Sequence, residues 1–250
     1  MRRHSFEVPG AANRAHCANL IVTRLPLAQQ RYWKNRAQRH LTLALLAAVI
    51  LWLVYCATPP PDVRHRLSMA SAYASLAFLA WALSLGAWNL LRRRHNPVSF
   101  DMRRDVGIWA GFLAIAHTAI GLTVHLRGRM WMYFFKQIHP LKLQNTQFGL
   151  ANYTGLVAAL LLLLLVAISN DISLRMLGTR KWKSWQRWTY ATAFLTVLHG
   201  ALFQLIEKRQ TAWVCIFAIV TLTTLGIQAA GFFKVRRDAA FKLRNAISNR

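Results

Sequence analysis

This chain of 250 residues has only three cysteines, Cys17, Cys56 and Cys215. None forms a CxxC pair or a Cys/His zinc spacing, so a structural metal site built on thiolates is not expected. Cys56 and Cys215 sit near the outer ends of two apolar runs. A disulfide between them would need an oxidising compartment; two small apolar side chains is the simpler expectation. No GxGxxG and no GxxxxGK[ST] occurs, so no domain of its own is expected to bind a nucleotide or a flavin and supply hydride from NAD(P)H. The opening Met1-Arg2-Arg3 is not followed by an apolar stretch and does not read as a secretory signal, although an Arg-rich, acid-poor leader also resembles an organelle transit peptide.

Acid is scarce as well. Seven Asp and Glu stand against 32 Lys and Arg, a formal net charge of +25, yet 55% of the residues are hydrophobic. A chain so basic and so apolar either binds nucleic acid or crosses a membrane with its cations on one side. Six apolar stretches decide for the membrane: 41–57, 67–91, 106–126, 150–168, 188–206 and 211–233. Each has roughly the 17–25 residues that a helix needs to span about 30 Å of hydrocarbon. The expected fold is all-α, a polytopic bundle of six transmembrane helices. Of the 32 Lys and Arg, 24 fall in the segments that share a side with the termini: 1–40, 92–104, 170–187 and 234–250. The positive-inside rule then puts both termini in the cytoplasm, with the protein in the cell inner membrane. Topology accounts for the charge, and no nucleic-acid partner is expected.

Three parts are expected: a disordered basic arm over 1–40, the bundle over 41–233, and a short basic cytoplasmic tail over 234–250. Loop 58–66 is short and proline-stiffened, and loop 92–104 is strongly cationic. The aromatic connection 127–149 suits a segment lying in the membrane interface; the alternative is a roof over a site on that side.

Nine histidines are present. His4 and His16 lie in the arm. His40, His65, His95 and His139 lie in loops or at helix ends, and His125 is interfacial. His117 and His199 remain, each inside an apolar span. An ionisable side chain there is a functional hypothesis by default; the alternative is a neutral ring bonded to a neighbouring helix. His117 comes 12 residues after Asp105 and His199 comes 12 residues after Arg187, on helices that run in the same direction. Both rings therefore lie about 18 Å from the cytoplasmic ends. Two imidazoles at one depth suit the two axial positions of one haem, which carries electrons and has no open position for a substrate. Gly121 and Gly200 would leave room for a flat macrocycle. No carboxylate or cysteine at that depth completes a catalytic zinc or iron site.

The stretches "RRDVGIWAGFLAIAHTAIGL" and "SNDISLRMLGTRKWKSWQRWTYATAFLTVLHG" resemble the ferric reductase-like transmembrane domain. In size, span number and lack of a flavin/NAD module the chain is similar to the MsrQ branch, the haem-binding membrane partner of a periplasmic methionine-sulfoxide reductase. The resemblance spans roughly residues 40–235. It implies a b-type haem between the third and fifth spans, with His117 and His199 at the positions of the outer-haem ligands and as the iron ligands. Larger members hold a second, inner haem by histidines 13–14 residues earlier on the same helices. Here Arg103 or Arg104 and Gln186 occupy those places, so one haem b per chain is expected. MsrQ-type members usually keep a histidine where Gln186 stands. The cationic residues Arg103, Arg104 and Arg187, beside Gln186, are read instead as holders of an FMN phosphate or a quinone headgroup.

The resulting expectation is a membrane electron-transfer component of an oxidoreductase system. Electrons would come from a quinol or a flavin reductase and pass to an external acceptor, such as a periplasmic reductase subunit or a ferric complex. The competing expectation is a non-redox transporter or assembly factor that retains the family fold. A cytochrome b561-like quinol oxidase would need four buried histidines, and two are present.

Overall fold

The computed structural model describes residues 27–59, 62–92, 100–126 and 129–248. Seven α-helices occur among them: α1 Leu27–Ala57, α2 Val63–Leu91, α3 Phe100–Val124, α4 Gln147–Ala167, α5 Asp171–Gln186, α6 Trp188–Ile206 and α7 Thr211–Ser248. Six segments are long and apolar enough to cross a membrane, with α5 and α6 counted as one. A chain in lipid must satisfy its backbone groups internally, so these runs are helical. Where helices begin, short polar side chains take over: Asp62, Thr146 and Asn170 each accept a hydrogen bond from a backbone N–H of the first turn of α2, α4 and α5.

The expected boundaries shift in four places. Helix α1 starts at Leu27, so 27–40 is helical; residues 1–26 of the expected arm lie outside the described residues. Helix α7 runs to Ser248 instead of stopping at 233, and the Lys234–Asp238 ion pair, one turn apart at 3.3 Å, supports its extension. Arg103 and Arg104 lie in the opening turns of α3, not in a loop. The expected loop 170–187 contains helix α5, broken at Gly178, whose φ of 70° suits glycine. Its outer face carries Ile172 and Met176, 70% and 83% exposed, while Trp182 is buried and donates from Nε1 to the Ile168 carbonyl at 2.9 Å. Without an apolar run, this amphipathic segment had no signature of a span.

The chain divides into two compact units, 1–42 and 43–250. In the first, the described residues are the opening half of α1. Everything that follows lies in the second. Half of the α2 span is buried, against 6% in the last two spans, so α2 is the central helix. Its buried face is made of small residues, Ala70, Ser71, Ala74, Ser75 and Ala82, which let neighbouring helices approach closely. Phe78, Leu79 and Leu83 of α2 pack with Val106, Ala110 and Leu113 of α3 and with Leu43 and Ala47. Polar ties cross the interfaces: Ser75 Oγ donates to the Ala110 carbonyl at 2.9 Å, Tyr73 Oη to the Trp213 carbonyl at 2.9 Å, and Gln228 Nε2 to the Leu83 carbonyl at 2.6 Å. Each such bond contributes about 0.6 kcal/mol on average in membrane bundles. Helix α4 packs against both α3 and α6, and Gly111 of α3 admits Val166 of α4: a Cβ there would stand 2.3 Å from Val166 Cγ2.

The connection 127–149 adds a small element to an otherwise helical fold. A 3-10 turn, Met130–Tyr133, leads into an antiparallel hairpin of β1 Phe135–Gln137 and β2 Lys142–Leu143. Tyr133 is buried and donates to the Gly121 carbonyl at 2.9 Å. Tyr133 and Phe134 line the cavity described below, so this part of the segment covers that cavity. Met130, Trp131, Ile138, Leu141 and Leu143 are exposed, as an interfacial segment would leave them.

Candidate functional site

His117 on α3 and His199 on α6 meet. Their ring centroids lie 6.1 Å apart with an interplanar angle of 72°. Two facing metal–imidazole bonds of about 2 Å, plus the ring radii, give about the same separation. His117 Nδ1 lies 3.0 Å from the Ser68 carbonyl of α2, and His199 Nδ1 lies 2.7 Å from the Ala151 carbonyl of α4. A carbonyl only accepts, so each Nδ1 carries the proton and each Nε2 keeps its lone pair. Neither Nε2 has a hydrogen-bond partner among the described residues. Thr154 Oγ1 also donates to the Ala151 carbonyl, at 2.9 Å, while the Ser71 hydroxyl is shared between the Leu67 carbonyl at 2.8 Å and the Ser68 carbonyl at 3.1 Å.

This donor set suits a haem iron: two buried imidazoles, oriented by backbone carbonyls, with the metal-binding nitrogens left open. The cavity around them measures about 190 Å³, below the roughly 300–1,000 Å³ of ordinary ligand pockets. Phe203, its ring tilted at 58° to that of His199 with centroids 4.9 Å apart, and Phe217 line this cavity.

The glycines divide differently from expectation. At Gly121 a Cβ would make only ordinary contacts, 3.5 Å from Ser68 Oγ and 3.9 Å from His117 Cε1. The space at Gly200 is taken by the Phe217 ring, 2.6 Å from where a Cβ would lie. Sequence reasoning missed Gly155 of α4, where a Cβ would fall 2.5 Å from His199 Nδ1. Its only signal is a glycine just ahead of a leucine run.

His65, read as an ordinary end-of-helix residue, and His125, read as interfacial, belong to a polar cluster at the mouth of the same cavity, beside the C-terminal ends of α3 and α6. His125 Nε2 lies 3.0 Å from Glu207 Oε1, and Arg209 reaches Glu207 Oε2 at 2.6 Å and His65 Nε2 at 2.8 Å. Helices α3 and α6 end here on residues with positive φ, Leu126 at 57° and Lys208 at 46°, which turn the chain into the cluster. Burial pushes the Glu207 carboxyl up, but the His125 hydrogen bond and the Arg209 charge outweigh it and hold the group below the ordinary carboxylate value.

At the other end of the bundle a second cavity, about 380 Å³, brings together Arg103, Arg104, Gln186 and Arg187, with Trp182 and Lys183. Arg104 is committed: it pairs with Asp171 at 2.5 Å and Asp101 at 3.4 Å. Arg103, Lys183 and Arg187 have no ion pair among the described residues. Gln186 Nε2 donates to Ser169 Oγ at 3.3 Å. Gln186 and His199 line different cavities, which share only Leu162. Cys56 and Cys215 are free thiols, both exposed.

No protein-family model matches the chain. A protein-methionine-sulfoxide reductase heme-binding subunit MsrQ of Ralstonia nicotianae (strain ATCC BAA-1114 / GMI1000) is 26% identical over 206 residues, which cover 73% of this chain and 93% of the relative. Proteins of the same description from Xanthomonas oryzae pv. oryzae, strains MAFF 311018 and KACC10331 / KXO85, are 29% identical over 184 residues, covering 74% of this chain and 76% of each relative.

Proposed function

The chain is a distant homologue of the MsrQ heme-binding subunits, and on that premise we propose that it is the haem-binding membrane subunit of a methionine-sulfoxide reductase system. The observation that carries the reading is the pair of intramembrane imidazoles 6.1 Å apart, both Nδ1 tied to backbone carbonyls and both Nε2 open. A haem b held by two histidines is a one-electron carrier without a substrate position. The chain's residues do the rest. Ser68 and Ala151 fix the tautomer of each ring, and the packed α2–α3–α4–α6 walls keep water away. Arg103, Lys183 and Arg187, beside Gln186 and Trp182, form a cationic inner mouth that suits the anionic or carbonyl headgroup of the donor, a reduced flavin or a quinol. Electrons then leave on the outer side to a periplasmic reductase subunit. The charge bias supports placing both termini in the cytoplasm.

Purified protein should carry one haem per chain in a pyridine haemochrome assay, and His117→Ala or His199→Ala should each remove it. Colourless wild-type protein would return the chain to a non-redox role. A C-terminal reporter active only on the outer face would overturn the topology.

A further inference from the structure

The cavity around His117 and His199 carries charged side chains at one end only. Toward the inner side its walls are Leu76, Ala158, Ala159 and Leu162, with the neutral hydroxyls of Ser75 and Thr196. Toward the outer mouth stand Arg209, His65, Gln204 and the His125–Glu207 pair. A haem has the same asymmetry, an apolar macrocycle with two carboxylates on one edge. Resting on the haem reading above, we infer that the macrocycle is held with its carboxylate edge outward, onto Arg209 and His65.

The outer mouth has unused capacity of the right kind. Arg209 is a half-buried cation, 15% exposed by its side chain, and its two bonds, to Glu207 and His65, leave three of five N–H donors. His65 Nε2 accepts from Arg209, so its proton sits on Nδ1, a donor with no hydrogen-bond partner among the described residues. Gln204 Nε2 donates to Tyr73 Oη at 2.9 Å, while its Oε1 is buried and unpartnered. An ionised carboxylate on Arg209 and His65, with a protonated one donating to Gln204, satisfies these groups together. Glu207 works against this arrangement, since it competes for Arg209 and repels a carboxylate; His125, hydrogen-bonded to Glu207, draws part of its charge away.

Haem-free full-length protein in detergent, titrated optically with haem and with haem dimethyl ester, tests the inference. The ester keeps the macrocycle and the iron but has no ionisable edge. Wild type should bind the diacid about tenfold more tightly than the diester. Arg209→Gln should bring the ratio toward one while the diester still gives the bis-histidine spectrum, which also shows that the variant is folded. Arg209→Lys should recover part of the preference, and Glu207→Gln should raise it above wild type. Equal binding of both compounds by wild type, or an undiminished ratio in Arg209→Gln, overturns the orientation and leaves the haem reading standing. Failure of wild type to bind either compound overturns both.

Discussion

Gly155 on α4 is the floor on which His199 of α6 rests. A methyl group there would stand 2.5 Å from Nδ1 and 2.6 Å from Cε1 of the ring. Gly155→Ala must therefore push His199 off the Ala151 carbonyl. Purified Gly155→Ala should lose most of its haem, while Gly121→Ala, whose Cβ meets only ordinary contacts, should keep it. Equal haem content in the two variants would contradict this placement.

The inner cavity predicts a separation of binding from reduction. Gln186→Ala and Arg187→Ala leave both imidazole anchors untouched, so haem content should stay at the wild-type level. Stopped-flow reduction by the donor should slow about 5- to 30-fold, because loss of a hydrogen bond to a charged or polar headgroup costs about 1–2 kcal/mol. Unchanged rates in both variants would reduce this cavity to aromatic packing with peripheral cations. Gln186→His alone should not add a second haem; the partner position on α3 holds arginine.

Arg104 behaves differently from its neighbours. It is 8% exposed and bridges α3 to α5 through Asp171. Arg104→Ala removes this bridge, but the Asp171 carboxylate is half exposed and water recovers part of the loss. A destabilisation of about 1–3 kcal/mol is expected, smaller than for a wholly buried pair. Thermal unfolding in detergent should show it, with no comparable effect from Arg103→Ala.

Glu207 gives a pH dependence with a definite sign. Its carboxyl is held below the ordinary value of 4.5, so the ionised form is favoured by folding. That stability is complete above the unfolded value and is lost as pH falls through the lower, folded one. Melting curves should therefore decline on acidification below about pH 4.5, and Glu207→Gln should flatten that part of the profile. A decline of the same slope in both proteins would show that other carboxylates set it.

Helix α6 was legible to the residue, because an uncharged run stands between Arg187 and Glu207. Helix α5 was not, since its apolar residues are sparse and its surface is basic. The depth of His117 and His199 could be counted along the chain, and so could their likeness to each other. What they lean on could not. Ser68 and Ala151 contribute backbone carbonyls, which carry no side-chain signature, and Gly155 acts by having no side chain. Gly200 misled because a glycine beside a ligand candidate looks like space for a ligand, whereas α7 fills that space with Phe217. His65 and His125 were judged by exposure at helix ends. Their significance comes from Glu207 and Arg209, two residues of a four-residue connection between α6 and α7.

The paired anchors have an electronic consequence. The carbonyl that accepts from His199 accepts a second bond, from Thr154, and the carbonyl that accepts from His117 takes the longer arm of the Ser71 hydroxyl, whose nearer acceptor is Leu67. A carbonyl shared in this way pulls less strongly on an imidazole proton, so each ring stays further from imidazolate and donates less charge through Nε2. Weaker donation favours the reduced over the oxidised metal. With an iron bound between the rings, as proposed, these hydroxyls, which touch neither ring, would bias its reduction potential upward, Thr154 the more, and Thr154→Ala should lower it in redox titration with both histidines still in place.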